Sequence, residues 1–124
     1  MSTLSGAGLL VLVATPIGNL GDLSQRAVKV LSAADLIACE DTRRTGLLLS
    51  HAGITGSSLL RVDQHTEEAA AGKVIRRLSE GASVAVVTDA GTPGISDPGE
   101  RLVRRVLDAG FEVSVVPGPS APVA

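Results

Sequence analysis

The chain has 124 residues, 44% of them apolar, and a formal net charge of −2. That length supports one domain with a real core, and that apolar content excludes a disordered chain. The charge excludes the basic balance of a free-standing nucleic-acid binder, and one Phe with no Tyr or Trp excludes aromatic stacking as a way to hold bases.

The core must therefore be Leu, Val, Ile and Ala, which suits helices packed on a buried parallel sheet. Leu9–Ala14 is a short, wholly apolar run closed by Thr15-Pro16, and it reads as a strand buried on both faces. The longest apolar stretch, "GAGLLVLVATPIG", is too short to span a bilayer and lacks the positive start of a signal peptide. A cytoplasmic protein with no membrane contact is expected. Asp22-Leu-Ser-Gln25 opens a helix in the manner of a capping box, and Ala27, Val30, Leu31 and Ala34 form its apolar stripe.

Leu36–Cys39 is a second strand, followed at once by "EDTRR". Cys39 is the only cysteine, so no disulfide closes within the chain and no metal site rests on thiolates. It reads as a small core residue. A helix from about Arg43 to His51 stops at Ala52-Gly53. Leu59–Val62 is a third strand. Thr66 then caps a helix with the stripe Ala71, Val74, Ile75 and Leu78, stopped by Gly81. Ser83–Thr88 is a fourth strand, Pro98–Ala109 a fourth helix stopped by Gly110, and Glu112–Val116 a fifth strand.

Strict alternation of strand and helix predicts an α/β fold: an open parallel five-stranded sheet with helices on both faces. The whole of 1–124 reads as a single α/β domain. The ending "PGPSAPVA" resembles the start of another element, which predicts a chain cut at a domain boundary.

Ligands of such sheets sit outside the carboxyl ends of the strands. That rule selects loops 15–22, 40–43, 63–66, 89–97 and 117–122. "TPIGNLGD" lacks both the dinucleotide fingerprint and the phosphate-loop pattern, and Gly18 and Gly21 in it could simply make turns. Glu40-Asp41-Thr42-Arg43-Arg44 puts two acids beside two bases directly after a buried strand. Helix capping by Asp41 or Thr42 explains part of it, but not both acids and both arginines. His65 could serve as a base, yet Thr66-Glu67-Glu68 looks like an ordinary helix start. In "DAGTPGISDPGE", Asp97, Pro98 and Glu100 suit a helix start, with Asp97 at the N-cap. "DAGTPGIS" is left over: glycine lets a ligand approach the main chain, and proline freezes the loop beforehand. No set of residues has metal-ligand spacing.

"DAGTPGISDPG", with "ATPIGNLGD", "EDTR" and "PGPSA", resembles the tetrapyrrole methylase superfamily, and most closely its ribosomal RNA methyltransferase branch. The resemblance runs from about Leu9 to the end and covers only that family's N-terminal domain. It implies S-adenosyl-L-methionine as cofactor and methylation of a cytidine ribose 2′-oxygen in small-subunit ribosomal RNA. It also implies a homodimer, with a second α/β domain closing the cofactor cleft. By resemblance Asp89, Ala90, Gly91, Thr92, Ile95 and Ser96 form the cofactor loop, joined by Ser120 and Ala121. Pro16, Gly18 and Asn19 lie in the segment facing cofactor and substrate. Many relatives carry His where this chain has Arg44, so position 44 takes no role from the family.

Transfer from a sulfonium is an in-line displacement, so catalysis is mostly positioning. A ribose hydroxyl is a poor nucleophile, and a base taking its proton late would help. Asp41 and Glu40 are the candidates, with His65 behind them, while Arg43 and Arg44 suit an RNA phosphate. A tetrapyrrole or diphthine-type methyltransferase, or an inactive binding fragment, are the competing expectations.

Overall fold

The computed structural model describes residues 7–15, 23–89 and 97–116. Among these, strands and helices alternate: β1 (Leu10–Thr15), α1 (Gln25–Ala33), β2 (Leu36–Cys39), α2 (Thr42–His51), β3 (Leu59–Arg61), α3 (Glu67–Ser79), β4 (Val84–Asp89), α4 (Asp97–Asp108) and β5 (Val113–Val116). The strands pair in parallel throughout, in the order β3-β2-β4-β1-β5. The α/β fold expected from the alternation is the one the chain adopts.

Each inner strand divides its side chains between two layers, as the pleat requires. In β1, Leu10 packs with α3 and α4, while Val11 and Val13 pack with α1 and α2. In β4, Val84 and Val86 face the first layer and Ala85 the second. Helices α3 and α4 supply Ala70, Ala71, Val74, Leu78, Leu102 and Val106, and α1 and α2 supply Ala27, Leu31 and Leu49. Leu31 and Leu78 are fully buried, each stabilising the fold by about 1.5–3 kcal/mol through lost water contact. This two-sided burial is why the strands read as continuous apolar runs.

Element ends differ from expectation by about a residue, and the reasons are local. The N-cap of α1 is Ser24, not Asp22. Ser24 is extended (φ −66°, ψ 158°) and its Oγ accepts from the Ala27 amide at 3.0 Å. Ala34, expected in the α1 stripe, has already left the helix, because Asp35 pulls the chain into the sheet. The Asp35 amide donates to Ser83 O at 2.8 Å, and Asp35 Oδ2 accepts from the Ser83 amide at 2.8 Å. Helix α4 begins at Asp97, which is thus inside the helix and not its cap. The expected stop Gly81 has φ 88°, and Gly53 and Gly110 share that left-handed backbone.

The topology has a switch point. Strand β4 leads to α4 on one face, whereas its neighbours β1 and β2 lead to α1 and α2 on the other. The connections part at the carboxyl end of β4, which is where open α/β sheets bind ligands.

Candidate active site at the carboxyl edge

The last β1–β4 pair is Thr15 with Asp89. Thr15 ends an otherwise apolar strand, yet it is 3% exposed. Its Oγ1 donates to the Thr88 carbonyl at 3.1 Å, so the hydroxyl is buried with a partner. The strand ends that precede loops 16–22 and 90–96 are thereby fastened side by side. Strand β5 continues the row, with Val116 level with Val13 of β1. The segments expected to hold cofactor therefore leave from three adjacent strands, β4, β1 and β5, at one edge. Asp89 is placed there by its backbone. Pro16, Gly18, Asn19, Ala90, Gly91, Thr92, Ile95, Ser96, Ser120 and Ala121 lie outside the described residues.

The acidic and basic turn stands on the other side of β4, at the end of β2. Asp41 is the N-cap of α2, with extended backbone (φ −116°, ψ 99°), and its Oδ1 accepts from the Arg44 amide at 3.0 Å. Such a cap stabilises by about 1 kcal/mol. It also fixes the direction of the carboxylate. Glu40, Asp41 and Arg43 are exposed, and Arg44 is half-buried. Beneath them Cys39 and Thr45 are buried. Burial pushes the Cys39 thiol pKa up, the Thr45 hydroxyl opposes this, and the Asp41 charge adds to it. The thiol is thus held protonated and unreactive, and Cys39 is the core residue expected.

His65 follows β3, the far edge strand, two strands from β4, and is exposed. Its amide serves structure, donating to Asp63 Oδ1 at 2.9 Å. Thr66 occupies the N-cap position but its side chain makes no cap bond. Asp63 instead braces the turn before the helix. Its Oδ1 also accepts from the Thr66 amide at 2.9 Å, and its own amide donates to Thr66 Oγ1 at 3.0 Å. The His65 amide, chiefly, holds the Asp63 carboxyl below its usual range, with further help from Thr66 and Arg61. The topology thus puts Asp41 and Glu40 beside the β4 end and His65 away from it.

Sequence reasoning missed Thr15 and Asp63. A threonine closing a wholly apolar run was the signal for the first, and an Asp three residues before a Thr at a helix start the signal for the second.

Comparison with known proteins bears on this edge. A family model described as tetrapyrrole (corrin/porphyrin) methylases matches residues 9–124. The chain is 52% identical over 116 residues to a ribosomal RNA small subunit methyltransferase I of Escherichia coli O157:H7, covering 94% of this chain and 40% of that protein. It is 53% identical over 121 residues to the protein of that name in Xylella fastidiosa (strain Temecula1 / ATCC 700964), covering 98% and 44%. The chain therefore spans less than half the length of these curated relatives. Among solved structures, a cobalt precorrin-4 methyltransferase superposes with a TM-score of 0.70 at 19% identity, over 97% of this chain and 49% of that one. A uroporphyrin-III-C-methyltransferase from Thermus thermophilus gives 0.64 at 22% identity, over 90% and 48%. At those identities the likeness concerns the fold alone.

Proposed function

The chain belongs to the tetrapyrrole (corrin/porphyrin) methylase family, and from that premise we propose that the protein moves the methyl group of S-adenosyl-L-methionine to a cytidine ribose 2′-oxygen in small-subunit ribosomal RNA. The observation that carries this reading is the 52% identity, over 94% of the chain, to a relative named as a ribosomal RNA small subunit methyltransferase. In the reading, this chain supplies one half of the cofactor cleft and a second α/β domain the other half. The whole protein acts as a cytoplasmic homodimer on the small ribosomal subunit.

The residues of the edge suit that cofactor. Glu40, Asp41 and Asp89 stand at the carboxyl ends of two adjacent strands, and an acidic edge favours a sulfonium cation. When bound, the cofactor supplies an already activated methyl group. The chain's own task is to hold and orient. Main chain of the 89–92 loop, with Pro16, Gly18, Asn19, Ile95, Ser96, Ser120 and Ala121, lines the cofactor side. Asp41, directed by its cap, takes the proton of the ribose hydroxyl, with Glu40 as the second candidate. Arg43 holds an RNA phosphate and so sets the hydroxyl in line.

The test is methylation of undermethylated small ribosomal subunits by the full-length protein with labelled cofactor, followed by digestion to nucleosides. Label in 2′-O-methylcytidine is expected. Label on a base, or transfer to a tetrapyrrole and none to RNA, would overturn the reading.

A further inference from the structure

The two helical layers differ in charge. On α3 and α4, acids and bases are mixed and joined. Arg101 Nη1 lies 2.6 Å from Glu67 Oε1, Arg105 Nη1 lies 2.5 Å from Glu68 Oε1, and Arg104 Nη2 lies 3.2 Å from Glu100 Oε1. Helices α1 and α2 carry Arg26, Lys29, Arg43 and Arg44 and no Asp or Glu at all. Arg26, Lys29 and Arg43 are exposed, and among the described residues no acid forms an ion pair with them. Two of the nearby acids are committed elsewhere. Asp35 binds the Ser83 amide at the amino edge of the sheet, and Asp41 caps α2.

The placement of these cations also runs against local helix preference. Helix α3 follows the dipole rule, with Glu67 and Glu68 in its first turn and Arg76 and Arg77 in its last. Helices α1 and α2 have no acid in the first turn, where Arg26, Arg43 and Arg44 stand instead. Cations there meet the positive end of the helix, so the helix itself does not favour them.

We infer that the outer surface of α1 and α2 docks the phosphate backbone of the RNA, with Arg26 and Lys29 extending the contact that Arg43 makes at the edge. The inference rests on the RNA-methylating reading above and gives it a surface. Helix α2 starts directly after Glu40 and Asp41, so a backbone lying along this layer leads to the proposed proton acceptor. A polyanion fits because the two helices offer exposed cations and carry no carboxylate of their own.

The experiment uses the full-length protein and small ribosomal subunits, with Arg26→Glu/Lys29→Glu as the variant. Lys73→Glu/Arg76→Glu, exposed on the opposite layer, is the control. Binding is measured across a salt series. The α1 variant should bind roughly tenfold or more weakly at low salt, and its salt slope should fall by about 1–2, as for the loss of two phosphate contacts. Cofactor affinity and thermal midpoint should match wild type, which separates lost docking from lost folding. Wild-type RNA binding by the α1 variant, or an equal loss in the control, overturns the inference. So does binding by wild type that ignores salt, since contacts to phosphates release counterions. If wild type transfers no methyl to RNA while the salt-dependent difference persists, the function fails and the docking surface stands.

Discussion

Thr15 Oγ1 donates across the sheet to the Thr88 carbonyl at 3.1 Å, joining the last residue of β1 to the next-to-last residue of β4. Thr15→Val keeps the shape and removes the donor. It should lower stability by about 1 kcal/mol, the net value of one buried hydrogen bond, and Thr15→Ser should restore most of it. Urea unfolding reads the difference. Because the two fastened ends precede the proposed cofactor loops, the Val variant should also bind S-adenosyl-L-methionine more weakly, which calorimetry reads.

Asp41 has a structural task, and the two roles can be separated. Asp41→Asn keeps an N-cap acceptor and loses a base, whereas Asp41→Ala loses both. If Asp41 takes the ribose proton, both variants should slow single-turnover methylation on the order of a hundredfold or more, with cofactor binding intact. Only the Ala variant should also lose about 1 kcal/mol of stability. A fast Asn variant would reduce Asp41 to a cap.

Asp89 ends β4 and opens the loop proposed to present main chain to the cofactor. Asp89→Ala should weaken S-adenosyl-L-methionine binding while leaving RNA binding unchanged. Equilibrium titration with each ligand separately checks this, and unchanged cofactor affinity would remove the Asp89 side chain from the site.

Gly8 packs against the turn between α3 and β4. Its amide donates to Leu78 O at 2.8 Å, and a Cβ added there would stand 1.6 Å from the Ala82 carbonyl oxygen. Backbone must move to admit it. Gly8→Ala should therefore cost about 1–3 kcal/mol, as overpacking does, and show as a lower urea midpoint.

Acid should weaken the α3 end of the molecule. The His65 amide, chiefly, holds Asp63 below its ordinary value of 3.8, and the Arg105 hydrogen bond holds Glu68 below 4.5. Each carboxyl is more acidic folded than unfolded. Its contribution is complete above the unfolded value and is lost as pH falls through the lower folded one. The thermal midpoint should thus decline as pH drops below about 4, and Asp63→Asn should make that decline shallower.

Much of the fold was legible because period and punctuation agree. Runs such as Leu36–Cys39 and stripes such as Val74 with Leu78 left little choice of element. The strand order was not legible. Nothing local in Leu10–Thr15 states that its partners are Val84–Asp89 and Val113–Val116. The pairs Glu67–Arg101 and Glu68–Arg105 were hidden for the same reason, being set by which helices share a layer. Caps were legible in kind but not in place: Ser24 Oγ meets the Ala27 amide at the start of α1, while the Thr66 side chain makes no cap bond to α3, because backbone geometry decides which oxygen meets the free amides. At the site, the sequence picked out Glu40, Asp41 and Asp89, but only the order β2-β4-β1 makes them neighbours and sets His65 apart.

That strand order has a cost in time. Leu10 pairs with Val84 on one side and Val113 on the other. Strand β1 is thus completed only by strands made after it. At roughly 5–20 residues per second, synthesis takes about 5–20 s to bring β5 out after β1. Until β4 emerges, "LVLVAT" is an unpaired, uncharged, β-prone segment with two open edges. Its pairings are non-local, so their closure is also intrinsically slow. Nascent chains of this protein should be aggregation-prone until β4 emerges, and a holding chaperone should bind the Leu10–Thr15 segment in preference to any helix.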